Sequence, residues 1–228
     1  MAVSINPSIL SSDFANFGSE VQGVSQACDF LHVDVMDYHF VPNLTFGLPI
    51  VERLKEVVAT PIDAHLMIEN PERWAPQYAE AGCESVTFHF EAAKDPGQVI
   101  AGIRTAGGLV GMGIKPGTKL ETVEDLLPHL DMLLVMTVEP GFSGQSFMAD
   151  MLGKVKRARE IIGKDDLKLA IQVDGGVGPK TIEQCADAGA DVFVAGHAVF
   201  RTENPAQACT DLRNLALAAQ QKSWWCGG

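Results

Sequence analysis

Residues 32–43 run HVDVMDYHFVPN. On an extended strand side chains alternate between faces, so His32, Asp34 and Met36 share one surface. An imidazole beside a carboxylate suits zinc, iron(II), manganese or cobalt, and a carboxylate that keeps one oxygen free can also take a proton from carbon. The segment PIDAHLM at 61–67 repeats the arrangement with His65 and Met67, and LAIQVDGG at 169–176 ends a third apolar run on Asp174. Three apolar strands from distant parts of the chain, each ending in ligand-type side chains, point to one metal-centred site.

Such a site needs a scaffold that brings strand ends together. Apolar strand-like runs fall near 3–8, 30–36, 61–67, 85–90, 109–115, 131–138, 168–174 and 191–196. Amphipathic stretches suited to helices fill the gaps near 14–26, 47–58, 71–81, 95–106, 119–127, 147–162, 179–188 and 204–221, several with Asn, Asp or Pro at their starts. Short echoes such as Ala27-Cys28-Asp29, Gly82-Cys83-Glu84 and Gly189-Ala190-Asp191 recur at multiples of about 27 residues. Eight alternating βα units predict a parallel sheet closed into a single (β/α)8 TIM barrel over residues 1–222, with 223–228 as a tail outside the fold. In that architecture catalytic groups sit at the C-terminal ends of the strands, where His32, Asp34, His65 and Asp174 fall. The turns Gly141-Phe142-Ser143-Gly144, Gly175-Gly176 and Gly196-His197 lie at the same end. They contain no Lys or Arg, yet backbone N–H groups and a helix start can bind phosphate there.

The formal charge of −12 argues against nucleic acid or an anionic membrane surface as a partner. Five cysteines, an odd number without a C-x-x-C pair, predict buried thiols in a reducing compartment. No leader-like N-terminus is visible, and no stretch approaches the roughly 20 apolar residues that span a bilayer. The expected location is cytoplasmic.

With these segments in view, the chain resembles the ribulose-phosphate 3-epimerase family of phosphate-binding TIM barrels from about Ile5 to Leu217. The resemblance rests on NPSILSSDF at 6–14, the 32–43 segment, His65-Leu66-Met67, MTVEPGF at 136–142, Val173-Asp174-Gly175-Gly176 and Val194-Ala195-Gly196. It implies that His32, Asp34, His65 and Asp174 hold one divalent ion per chain, and that Asp34 and Asp174 are the two acid/base carboxylates. It further implies that Ser8 and His65 touch substrate and that Met36, Met67 and Met136 surround the reacting carbons. The turns Gly141 to Gly144, Gly175-Gly176 and Gly196-His197 would hold the phosphate, and the chain would be a homo-oligomer. Three positions depart from the family pattern. Tyr38 replaces a frequent Gly and is expected at an ordinary φ, because a left-handed backbone would cost roughly 1–2 kcal/mol there. Ser143 replaces a Gly in a flexible loop, and His197 stands where a small polar residue is common.

The implied reaction exchanges D-ribulose 5-phosphate and D-xylulose 5-phosphate. A proton leaves C3 beside the C2 carbonyl and another returns from the opposite face, through an enediolate that a Lewis-acidic ion stabilises. The same chemistry on a six-carbon ketose phosphate such as allulose 6-phosphate is the nearest alternative. A Schiff-base aldolase using Lys115, or a barrel that binds a sugar phosphate without turnover, would leave the two-His, two-Asp set unexplained. Asp37 and His39 are read as turn-fixing residues. His89 and Glu91 are read either as supports for the ligands or as polar rim.

Overall fold

The computed structural model describes residues 3–223 and 225. Its eight strands are β1 Ser4–Pro7, β2 Leu31–Met36, β3 Ile62–Met67, β4 Ser85–His89, β5 Leu109–Ile114, β6 Met132–Met136, β7 Ala170–Asp174 and β8 Val192–Ala195. All pair in parallel in the order β1-β8-β7-β6-β5-β4-β3-β2. One parallel bridge, between Ser8 just past β1 and His32 on β2, joins the two ends of this order and closes the barrel. The helices are α1 Phe17–Val24, α2 Leu48–Val57, α3 Pro71–Glu80, α4 Pro96–Thr105, α5 Leu152–Asp165, α6 Ile182–Ala188, α7 His197–Phe200 and α8 Pro205–Gln220. Asp95 and Asn204 cap α4 and α8 by accepting from Gln98 N and Gln207 N, each at 3.1 Å, with Pro as the next residue.

The period-two alternation divides each strand between two environments. Leu31, Val33, Ile62, Ala64, Leu66, Val86 and Phe88 join Val51, Leu54, Ala75 and Val99 of the surrounding helices in the main apolar core. The other parity faces inward and is largely polar: Asn6, His32, Asp34, Asp63, His65, Thr87, His89 and Gln172 are all buried. Buried polar groups need partners; Thr87 Oγ1, Asp63 Oδ1 and Gln172 Oε1 have none among the described residues, while the hydrogen bonds the others make to one another define the site.

Two expectations are corrected. The stretch 119–127 is not an α-helix but two 3-10 segments, Leu120–Thr122 and Glu124–His129. Val123 leaves helical geometry between them at φ −122° and ψ 3°, and Pro128 removes a backbone donor. The four-residue α7 is too short to show periodicity in the sequence. Tyr38 lies at φ 63°, in the left-handed region. Its turn is over-determined: Tyr38 N donates to Asn43 O at 2.9 Å, while the Asp37 carboxylate accepts from His39 N, Phe40 N and Glu69 N at 2.9, 3.0 and 2.8 Å. This also places Asp37 as the turn-fixing residue. In the tail, Ser223 is buried, and the Trp225 ring lies 4.6 Å from the Arg159 guanidinium while its Nε1 donates to Ala186 O at 3.3 Å. Trp224, Cys226, Gly227 and Gly228 lie outside the described residues. Among the described residues no helix is long and apolar enough to cross a membrane.

Candidate active site

Strand register builds the site. Pairing of β2 with β3 sets Asp34 against His65 and Met36 against Met67, and pairing of β6 with β7 sets Met136 against Asp174. Ligand-type atoms of His32, Asp34, His65 and Asp174 all lie within 4.8 Å of one another. His65 Nδ1 is 3.2 Å from Asp34 Oδ1 and 3.5 Å from Asp174 Oδ2, and His32 Nε2 is 3.4 Å from Asp34 Oδ1. Two imidazole nitrogens and two carboxylate oxygens converging in a buried pocket fit a borderline divalent cation.

Without a cation, the same four groups share protons and charge. Burial works against a charge on His32, yet the Asp34 and Asp63 carboxylates hold its pKa well above the ordinary value. His65 is also raised: burial opposes its charge, and hydrogen bonds to Asp174 and Asp34 outweigh that. Asp34 is held below the usual carboxylate range, because the charge of His32 and hydrogen bonds from both imidazoles overcome its burial. Its second oxygen is free of the cluster and accepts from Ser8 Oγ at 2.5 Å.

Each histidine is also gripped from behind. His32 Nδ1 lies 2.9 Å from Asp63 Oδ2, which accepts from Gln172 Nε2 at 2.7 Å and Asn6 Nδ2 at 3.3 Å. His65 Nε2 meets His89 Nε2 at 2.9 Å, and His89 Nδ1 meets Glu91 Oε2 at 3.2 Å. Burial pushes the His89 pKa down to about 4, so this ring is neutral near pH 7.

Above the cluster opens a cavity of about 580 Å³. Ser8, Asp34, Met36, Met67, Met136 and Asp174 line its inner part. Gly141, Phe142, Ser143, Gly144, Gly175, Gly176, Gly196 and His197 line its outer part. His32 and His65 are fully buried beneath the cavity and do not line it. The loop after β6 rests on α7: a Cβ on Gly144, which sits at φ 78°, would come within 2.7 Å of His197 Cε1, and Ser143 Oγ is 3.5 Å from His197 Nε2. Asn43 Nδ2 donates to Gly141 O at 2.8 Å and ties the loop after β2 to the loop after β6.

Residues 4–200 match the Ribulose-phosphate 3 epimerase family. The chain belongs to this family. It is 54% identical over 215 residues to the ribulose-phosphate 3-epimerase of Mycobacterium tuberculosis, covering 94% of this chain and 93% of that protein. It is 52% identical over 214 residues to the enzyme of that name from Mycobacterium leprae, covering 94% and 95%. The crystal structure of KGPDC from Streptococcus mutans shares the fold, with a TM-score of 0.74 at 15% identity over 96% of this chain and 99% of that one.

Two residues that bear on this epimerase-family site escape a reading from strand ends. Asp63 shares strand and parity with His65, and that alternation was the available signal. Lys180 lies beyond the Gly175-Gly176 turn and lines the outer cavity, bringing a cation to an end whose glycine turns have none. Its place before α6 gave no sequence signal. Lys115, by contrast, does not line the cavity, and its Nζ sits 3.7 Å from the centre of the Phe40 ring.

Proposed function

We propose that the chain interconverts D-ribulose 5-phosphate and D-xylulose 5-phosphate by passing protons between C3 and two carboxylates. The observation that carries this reading is the pair Asp34 and Asp174. Both line the cavity, both belong to one largely buried cluster, and they rise from strands that are not neighbours in the sheet. One takes the C3 proton as the other, protonated, returns one to the opposite face. Ser8 holds Asp34 Oδ2 toward the cavity, which orients the abstracting oxygen. When bound by His32, Asp34, His65 and Asp174, a divalent cation such as zinc, iron(II), manganese or cobalt supplies a Lewis acid for the C2 carbonyl. Met36, Met67 and Met136 give the reacting carbons an aprotic wall that keeps water from the intermediate. At the outer end the N–H groups of the glycine turns and the Lys180 ammonium receive the phosphate.

The sequence adds two expectations to this reading. One is a cytoplasmic location, supported by the buried free thiols of Cys83, Cys185 and Cys209. The other is self-association, supported by the family resemblance.

Steady-state turnover of ribulose 5-phosphate and allulose 6-phosphate by cation-loaded protein tests the proposal. A higher kcat/KM for the five-carbon substrate is expected. Preference for the six-carbon one overturns the substrate assignment, and turnover of neither overturns the reaction.

A further inference from the structure

We infer that Glu91, outside the cavity and outside the four-ligand cluster, is a positioning residue that sets which nitrogen of His65 is free to hold a cation, acting through His89. The inference rests on the reading of His65 as a ligand. A neutral imidazole has one N–H and one lone pair, so a ring that binds a cation through one nitrogen carries its proton on the other. His65 faces the cluster through Nδ1. As a ligand it therefore donates from Nε2, and the partner there is His89 Nε2 at 2.9 Å.

That contact dictates the state of the second ring. His89 must accept at Nε2 and carry its own proton on Nδ1, which faces Glu91 Oε2 at 3.2 Å. An ionised carboxylate has no hydrogen to give, so it fixes the order of donors along the chain. Glu91 is itself anchored: Oε1 accepts from Lys115 N at 2.7 Å and from the Thr118 hydroxyl. His65 and His89 are fully buried, which removes solvent as an alternative partner. Gly113 on β5 makes room for the second ring, since a Cβ there would lie 3.3–3.4 Å from three of its atoms.

Glu91→Gln separates this role from simple packing. An amide has a single acceptor oxygen. If that oxygen stays on Lys115 N, the amide nitrogen faces His89 and drives its proton to Nε2. The His65 proton must then sit on Nδ1, and the ligand lone pair is lost. In the other orientation the amide nitrogen opposes Lys115 N–H, and a backbone hydrogen bond is forfeited.

The test is zinc affinity of the full-length protein by competition with a chromophoric chelator, together with long-range proton–nitrogen NMR of the imidazoles. We expect Glu91→Gln to bind zinc roughly 10–100-fold more weakly, the range typical for loss of a group that orients a ligand. Wild-type His89 should show its proton on Nδ1, and the variant should shift it toward Nε2. Thr118→Val, which removes one anchor and leaves the acceptor facing His89 intact, should stay within a few-fold of wild type. Unchanged zinc affinity in folded Glu91→Gln, or a wild-type His89 protonated on Nε2, overturns the inference alone. Wild-type protein that takes up no zinc overturns the metal reading and this inference with it. If Glu91→Gln does not fold, the wild-type NMR signature decides.

Discussion

Asp63 Oδ2 lies 2.9 Å from His32 Nδ1, so a buried carboxylate grips the ring nitrogen that points away from Asp34, His65 and Asp174. Carboxylate, imidazole and cation in line is the arrangement that fixes tautomer and raises ligand basicity. Asp63→Asn should weaken zinc binding roughly 10–100-fold, measurable by chelator competition. It should also lower stability by about 1–3 kcal/mol, because the donors of Asn6 and Gln172 lose a charged acceptor. Unfolding midpoints in urea read the second effect. Wild-type values for both would show that Asp63 serves only as filler.

Asp174→Asn should nearly abolish epimerisation, since an amide cannot act as a carboxylate acid or base. In D₂O the wild-type product should carry deuterium at C3 in either direction of reaction, because each acid exchanges its proton between turnovers. The variant should retain exchange of one epimer's C3 proton through Asp34, provided its zinc content, measured in parallel, is preserved. Wild-type product without deuterium at low conversion would mean internal proton return and would remove the two-base assignment.

Zinc stabilisation should grow with pH. His32 and His65 have raised pKa values in the folded protein. Their stabilising charge is fully present below the unfolded value of about 6.5 and is lost as pH rises through the folded values. Asp34 and Asp63 are lowered, so their contribution is present above about 3.9 and is lost as pH falls through the folded values. Binding must expel the histidine protons, so the zinc-induced rise in Tm should increase between about pH 6 and pH 8. A rise that is flat or falls over that interval contradicts the assigned proton positions.

Gly144→Ala should raise KM for the sugar phosphate. The added methyl meets the His197 ring at 2.7 Å, and φ 78° costs an L residue about 1 kcal/mol. Adding His197→Ser should relieve the steric part and leave the backbone part, so the double variant should recover some of the lost affinity. His197→Ser alone should alter phosphate affinity modestly and retain turnover. Complete inactivity of a folded His197→Ser would reveal an essential role for the ring.

Trp225→Ala should lower Tm without changing kcat. Stacking on Arg159 contributes about 0.5–2 kcal/mol, and each 1 kcal/mol moves Tm by about 2–4 °C in a domain of this size. An unshifted Tm would place the tail outside the folded unit.

Strand parity made much of this legible. Alternation put His32 with Asp34 and His65 with Met67, and the same rule applied to the middle of β3 would have added Asp63. The loops were less readable, because their geometry depends on partners far along the chain. Tyr38 keeps its left-handed backbone because the Asp37 carboxylate holds three backbone donors, one of them on Glu69. Lys180 reaches the cavity only because the Gly175-Gly176 turn redirects the chain. The segment 119–127 had helical periodicity, but periodicity does not separate an α-helix from successive 3-10 turns.

The single bridge between Ser8 and His32 gives the barrel a zipper with its slider at the chemistry. His32, Asp34 and His65 stand on one side of that joint, whereas Asp174 reaches it from the other side through β8 and β1. The bonds from Ser8 to Asp34, and from Asn6 and Gln172 to Asp63, cross the same joint. A chain whose two sheet ends have not yet met therefore cannot present all four donors at once. A cation held by all four side chains would fasten only a completed ring.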